Sequence, residues 1–228
     1  MAMARSDAFK TEICRLSYAQ SLYKPRSQQE GGKLKYGCTL IFDLKHRPML
    51  EKVVAKVITD EWGPKGLEKA KAGLIKSPFL AGDGKEARNK TTGDLHPGMG
   101  ADKFFIRVQA NEDRPPWVRW KDPNLQETEA NVYSGCFGKA VINAFAWDHP
   151  QNGAGISFGI EGFQKLQEGE RLGGSSGADP EKWVEHIEDA GEAPAETKTG
   201  AGASGLFGAL AAASFLPAVL DGFSSFIG

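Results

Sequence analysis

Three stretches of the chain interleave aromatic rings with cations: Lys33, Lys35 and Tyr36; then Arg107, Arg114, Trp117, Arg119 and Lys121; then the run Tyr133-Ser-Gly-Cys-Phe-Gly-Lys139, which carries Tyr133, Phe137 and Lys139. Ammonium and guanidinium groups neutralise phosphates, and an exposed ring offers its face to an unpaired base, each such stack contributing about 1–3 kcal/mol. These residue types in this order suit a grip on a single nucleic-acid strand that does not read its sequence. Aromatics at alternate strand positions are more often core than platform. Phe104, Trp120 and Phe145 are therefore expected inside, and Trp117 and Tyr133 outside. Arg119 and Lys139 flank those two rings in sequence or by strand parity.

Other chemistries find little support. The four His (His46, His96, His149, His186) and three Cys (Cys14, Cys38, Cys136) show no CxxC, HExxH or HxxxH spacing, so neither a metal nor a cofactor is expected. No GxxxxGK[ST] occurs, and the glycines from Gly93 to Gly100 lack the preceding strand and following helix that would let backbone amides cradle a phosphate. Asp148–His149 sits in a Pro/Asn/Gly turn with no nucleophile motif beside it. An enzyme is not indicated. An odd, widely spaced set of cysteines makes no disulfide framework; they read as small buried residues of strands in a reducing cytosol.

Charge is sorted along the chain. Residues 1–178 carry 26 Lys/Arg against 21 Asp/Glu, a net +5, while residues 179–228 carry 2 against 8, a net −6, so the formal −1 of the whole conceals a basic body and an acidic tail. That asymmetry suits a protein that holds a polyanion and carries its own weak competitor. With 228 residues, 40% hydrophobic, the chain can bury one core. The expected organisation is a folded body over 1–178, an acidic linker over 179–204 and an apolar segment over 205–228.

The elements that must position the rings and cations follow from periodicity. Leu34, Tyr36, Cys38, Leu40 and Phe42 alternate as in a strand, and a second strand is expected upstream over Phe9–Leu16. At Pro48 the period becomes helical, with Met49, Val53, Val57 and Ile58 on one side, and the helix should end near Trp62–Gly63. Residues 64–100 read as an insertion or mobile loop with a short helix at Gly66–Ala72 and a basic tip of Lys85, Arg88 and Lys90. Strand character resumes over Lys103–Ala110, Trp117–Lys121 and Tyr133–Trp147. A last short strand over Ile156–Ile160 should be followed by a helical turn through Phe163 and Leu166. Five or so short strands, one main helix and glycine-rich turns describe a mainly β chain with α additions, an OB-fold-like five-stranded barrel with a flexible C-terminal tail. Periodicity alone leaves another small barrel or a sandwich open.

The run Asn131–Trp147, followed by Gly155–Gln167 and Glu168–Gly174, resembles a family of bacteriophage single-stranded DNA-binding proteins formerly catalogued as a domain of unknown function. The resemblance extends from Phe9 to Gly174. It implies an OB-fold barrel that coats single-stranded DNA in the cytoplasm of the infected host during replication and recombination, akin in function to the T7-type phage single-strand binder, whose acidic tail recruits replication partners. By that likeness Tyr133, Ser134, Gly135, Phe137 and Lys139 form the family's most recognisable motif. One departure stands out. Here the acidic stretch is followed by Gly205–Gly228, which has no Lys or Arg and a single acid, Asp221. Ser214, Pro217 and Asp221 interrupt it below the roughly 20 apolar residues that span a bilayer, so three uses stay open: docking on the body or on a second subunit of a homodimer, a tip gripped by a phage or host replication protein, or a membrane-surface segment. Two rival functions also stand, a phage structural or assembly protein on a small β-barrel and a strand-annealing recombination mediator.

Overall fold

The computed structural model describes residues 3–27 and 31–172; the acidic stretch 179–204 and the apolar end 205–228 lie outside the described residues. The elements in order are β1 (Phe9–Lys10), β2 (Cys14–Ser17), β3 (Lys35–Asp43), α1 (Arg47–Trp62), α2 (Gly66–Lys71), β4 (Ile75–Lys76), β5 (Leu80–Ala81), β6 (Lys103–Asn111), β7 (Trp117–Arg119), β8 (Phe137–His149) and β9 (Gly153–Gln167). Strand pairings run β8–β2, β2–β3, β3–β6, β6–β9 and β9–β8, so five strands close on themselves in an OB-fold-like barrel. β1 extends β8, β5 pairs with β6, and β4 and β7 pair with β9.

Alternation sets which side chains fill the barrel. Cys38, Leu40 and Phe42 of β3 stand opposite Val108, Ile106 and Phe104 of β6, and all six are buried. The Phe42 and Phe104 rings stack with centroids 5.3 Å apart, and Phe79 meets Phe104 and Phe158 edge-on at 6.0 Å each. One stripe of α1, made of Leu50, Val54, Val57 and Ile58, joins the same core, while Met49 and Val53, expected on that side, are only partly buried beside it.

The C-terminal hairpin differs from its sequence expectation. Instead of a short strand and a helical turn, Gly153–Gln167 is one strand paired with β8 along its length. Ile142 faces Ile160 while the preceding Val141 faces Gly162, which leaves Glu161 as a bulge. The extra residue switches the inward parity from Ile156, Phe158 and Ile160 to Phe163 and Lys165, and this break in alternation is what imitates a helical period. β8 in turn starts at Phe137 rather than Tyr133. Gly135 holds φ +118 with a Cβ position 2.0 Å from the Glu170 carbonyl oxygen, so residues 133–136 form a turn pressed against the chain after β9.

Residues 64–100 are not a free loop. They carry α2, β4, β5 and a 3₁₀ turn, Lys85–Ala87, whose Ala87 is wholly buried against Ile41, Phe105 and Leu172 on the outer face of the barrel. Arg88 of the expected basic tip donates to the carbonyls of Asp83 and Gly93, which ties the arm to itself. Phe145 and Trp120, expected in the core, are half-buried. Arg5 lies over the Phe145 ring at 5.4 Å, so the N-terminal segment covers it. Among the described residues no helix is long and apolar enough to cross a membrane.

Candidate nucleic-acid interface

The residues of β2, β3 and β6 that do not fill the barrel form its outer wall. Register places Ser17 beside Thr39 and Thr39 beside Arg107; one step further along, Arg15 lies beside Ile41 and Ile41 beside Phe105. The Ile41–Phe105 end is roofed by Ala87, Met99 and Leu172. The Thr39–Arg107 end is open, and two hollows of about 280 and 380 Å³ meet there, sharing Tyr18, Thr39 and Arg107 along their common edge. Lys35, Tyr36 and Gln109 line the wider hollow, which makes one continuous groove across the wall.

Tyr18 stands at the centre of this groove. It is 57% exposed and adopts φ 59, ψ 41, the left-handed region that a bulky side chain rarely occupies. The cause is local. Cys14 and Leu16 point inward on β2, and the chain then turns at once into a 3₁₀ segment, Ala19–Leu22, that buries Ala19 and Leu22. The Ala19 amide donates to Ser134 Oγ at 2.9 Å, which pins the turn to the segment ahead of β8. Continued alternation would bury Tyr18; the left-handed turn throws it onto the surface instead.

Arg26, Lys35 and Arg107 make no ion pair among the described residues. Among the described residues the Lys35 ammonium donates to the Gln109 side-chain oxygen at 3.4 Å. Further along the same wall the charges are already spent on one another. Lys103 holds Asp43 and Asp102 at 2.6 and 2.7 Å, keeping both carboxyls below their ordinary range, and Arg15 donates to the carbonyls of Gly135 and Glu170 while facing the Phe137 ring.

Of the residues that the sequence singles out, Lys35, Tyr36 and Arg107 line the groove and Lys33 is exposed just ahead of β3. Phe137 and Lys139 stand on β8, with Lys139 3.7 Å from Glu12. The others gather elsewhere. The half-buried Trp117 ring lies flat on Gly162 of β9, where a Cβ would fall 2.0 Å from it, so that face is covered. Arg119 donates to the Pro123 carbonyl and to Gln126, and Lys121 caps the Trp120 ring at 4.5 Å. Tyr133 lies between Arg171 at 3.9 Å and Lys165 at 5.0 Å, and its hydroxyl donates to Glu168 at 2.6 Å. Lys165, 1% exposed, also lies 3.9 Å over Trp120 and donates to Glu168 and the Asn131 carbonyl. Arg114 is exposed on the turn after β6. Register sets Arg119 of β7 and Lys139 of β8 on either side of Gln164 of β9, with Trp117 on the same outer face of β7, while Tyr133 lies apart with Lys165 and Arg171; Tyr18, Arg26, Thr39 and Gln109 join the groove unannounced by any sequence pattern.

The remaining reactive groups have structural settings. All three cysteines are buried and free, and burial pushes the Cys14 thiol up to about 12, which removes it as a nucleophile. Among the described residues no three His, Cys, Asp or Glu side chains cluster as metal ligands would.

Comparison with known proteins agrees with this architecture. Residues 8–192 match the family described as the ssDNA-binding protein of Enterobacter phage Enc34. A putative protein p50 of Acyrthosiphon pisum secondary endosymbiont phage 1 is 24% identical over 181 residues, 76% of this chain and 91% of that protein. Two solved structures of the bacteriophage Enc34 single-stranded DNA-binding protein share the fold. The one in complex with ssDNA superposes with a TM-score of 0.52 at 20% identity, covering 73% of this chain and 89% of that one; the C-terminal truncation gives 0.51 at 20%, covering 72% and 88%. The family and these solved relatives are described as DNA-binding proteins, not enzymes, in line with the sequence expectation. The chain belongs to the Enc34-type family of phage ssDNA-binding proteins.

Proposed function

We propose that this protein coats single-stranded DNA by laying the strand along the groove on the outer wall of β2, β3 and β6. The observation that carries the reading is Tyr18, a strained and exposed ring that shares a hollow with Arg107, a guanidinium with no ion pair among the described residues. Holding a tyrosine in the left-handed region costs of order 1–3 kcal/mol, and such strain persists chiefly where function uses it. Arg26, Lys35 and Arg107 follow the phosphates, Tyr18 and Tyr36 stack on bases, and Thr39 and Gln109 donate to sugar or phosphate oxygens. Family membership supports the ligand, and the Enc34 relative solved with ssDNA shares the barrel.

The finer reading concerns replication and recombination in the cytoplasm of the infected host. The acidic stretch, from Asp179 to Glu196, competes with DNA for the cations of the body, and the tail recruits phage or host replication proteins. Fluorescence titration with oligo-dT against duplex of equal length tests the whole. Tight single-strand binding, weak duplex binding and a steep loss of affinity with salt are expected. Comparable duplex binding would favour a strand annealer, and no binding at all a structural protein. Removing residues 179–228 should tighten oligo-dT binding; unchanged affinity removes the competitor role.

A further inference from the structure

The smaller hollow, about 280 Å³, is built differently from the rest of the groove. Phe105 and Met99 line it with Tyr18 and Arg107, and the docked 84–99 arm adds His96 and Glu86 to its lining. That arm is fixed: Ala87 is wholly buried, its amide bonds the Gly84 carbonyl at 3.1 Å, and the His96 amide donates to the Ala87 carbonyl at 2.8 Å. A carboxylate repels phosphate, so it has no part in following the backbone. Its partner among the described residues is Lys85 at 3.8 Å, an exposed pair worth little, and Arg107 lines the same hollow without pairing with it.

A half-open hollow with apolar lining, an aromatic edge and one acceptor-only residue suits a flat molecule that donates hydrogen bonds. Among the four bases, guanine alone places two adjacent donors, N1–H and the 2-amino group, where a carboxylate accepts both side by side. Cytosine, adenine and thymine each offer Glu86 a single donor group. We infer that this hollow is a base subsite that takes one unpaired guanine of a bound strand, with Glu86 reading its N1 and N2 edge. This rests on the proposed strand-binding groove and adds a local base preference to a grip that is otherwise sequence-tolerant.

The test is anisotropy titration of the full chain with three labelled oligonucleotides: oligo-dT, the same oligo-dT with isolated dG substitutions, and that oligo with each dG replaced by deoxyinosine, which lacks only the 2-amino group. A bidentate base contact is worth about 1–3 kcal/mol, so the dG oligonucleotide should bind at least about five-fold tighter than either control. Glu86→Gln and Glu86→Ala should both bring the three affinities together, the dG oligonucleotide losing its advantage and falling toward the two controls. Equal affinities in the unaltered protein, or a dG preference that survives both variants, overturn the subsite while leaving the groove in place. Failure to bind any of the three overturns the groove and the subsite together.

Discussion

Two regions of this molecule use the same residue types to opposite ends. Around the end of β9, Lys121, Trp120, Lys165, Tyr133 and Arg171 alternate cation and ring, with Lys165 between two aromatics and Glu168 receiving both Lys165 and the Tyr133 hydroxyl. Every ring there has a cation on its face and the central cation is desolvated, so the cluster is complete without a ligand. On the wall of β2, β3 and β6, Tyr18, Tyr36, Arg26, Lys35 and Arg107 lie close but do not satisfy one another. The difference teaches that ring–cation interleaving in a sequence marks an interaction, not its partner. Whether the protein itself or a nucleic acid completes the set depends on which side of the strand the register puts it.

Variants at the two regions should therefore fail in different ways. The largest effect is expected at Lys165, which is buried like a core residue. Lys165→Ala should cost about 2–4 kcal/mol of stability, read from denaturant unfolding, by leaving a void between Trp120 and Tyr133. Lys165→Met should recover the volume but not the cation–ring attraction, and so fall between the two. At a temperature where both variants stay folded, oligo-dT affinity should remain within about two-fold of the parent, because exposed-groove electrostatics are screened beyond a Debye length of about 10 Å.

Tyr18→Gly separates binding from stability in the other direction. Glycine tolerates the left-handed backbone, so the variant should be more stable by about 1 kcal/mol, whereas loss of the ring should cost about 1–3 kcal/mol of oligo-dT binding. A fall in both quantities would mean that Tyr18 is a packing residue and would undo the contrast. Arg107→Ala should lower the slope of log affinity against log salt by about 0.7, one phosphate contact on a single strand. Arg119→Ala should leave that slope unchanged, since its guanidinium already serves Pro123 and Gln126.

The barrel was legible in the sequence because its central strands alternate cleanly: Cys38, Leu40 and Phe42 on β3 and Phe104, Ile106 and Val108 on β6 are all where period two puts them. The α1 boundaries were legible from Pro48 and Gly63. Two features defeated the pattern for physical reasons. The Glu161 bulge shifts parity by one residue, so β9 looked like a strand and then a helix. Tyr18 follows two inward positions and would be assigned to the core by alternation, yet one left-handed residue reverses it, and local sequence does not encode that choice of backbone region for a tyrosine. Within the candidate site, Lys35, Tyr36 and Arg107 were found because they sit on regular strands. Alternation points Trp117 and Tyr133 outward, and both rings are half-buried, because pairing across β9 and with the segment after it gives their faces to Gly162, Lys165 and Arg171, partners distant in sequence.

The smallest expected effect probes how the closed cluster is held. Lys165, and after it Tyr133, donate to the Glu168 carboxylate and hold its carboxyl below the ordinary value of 4.5. A carboxyl whose folded value lies below its unfolded one adds stability above the unfolded value and loses that contribution as pH falls through the folded one. Glu168→Gln should therefore unfold at slightly lower denaturant than the parent at pH 7, and the gap should narrow as pH drops below about 4.5 and close in stronger acid. Glu168 is well exposed, so the gap at pH 7 should also shrink in high salt. A gap independent of pH would mean that Glu168 acts through its shape and not its charge, and that the ring–cation stack of Trp120, Lys165 and Tyr133 closes this end of the barrel without a carboxylate to complete it.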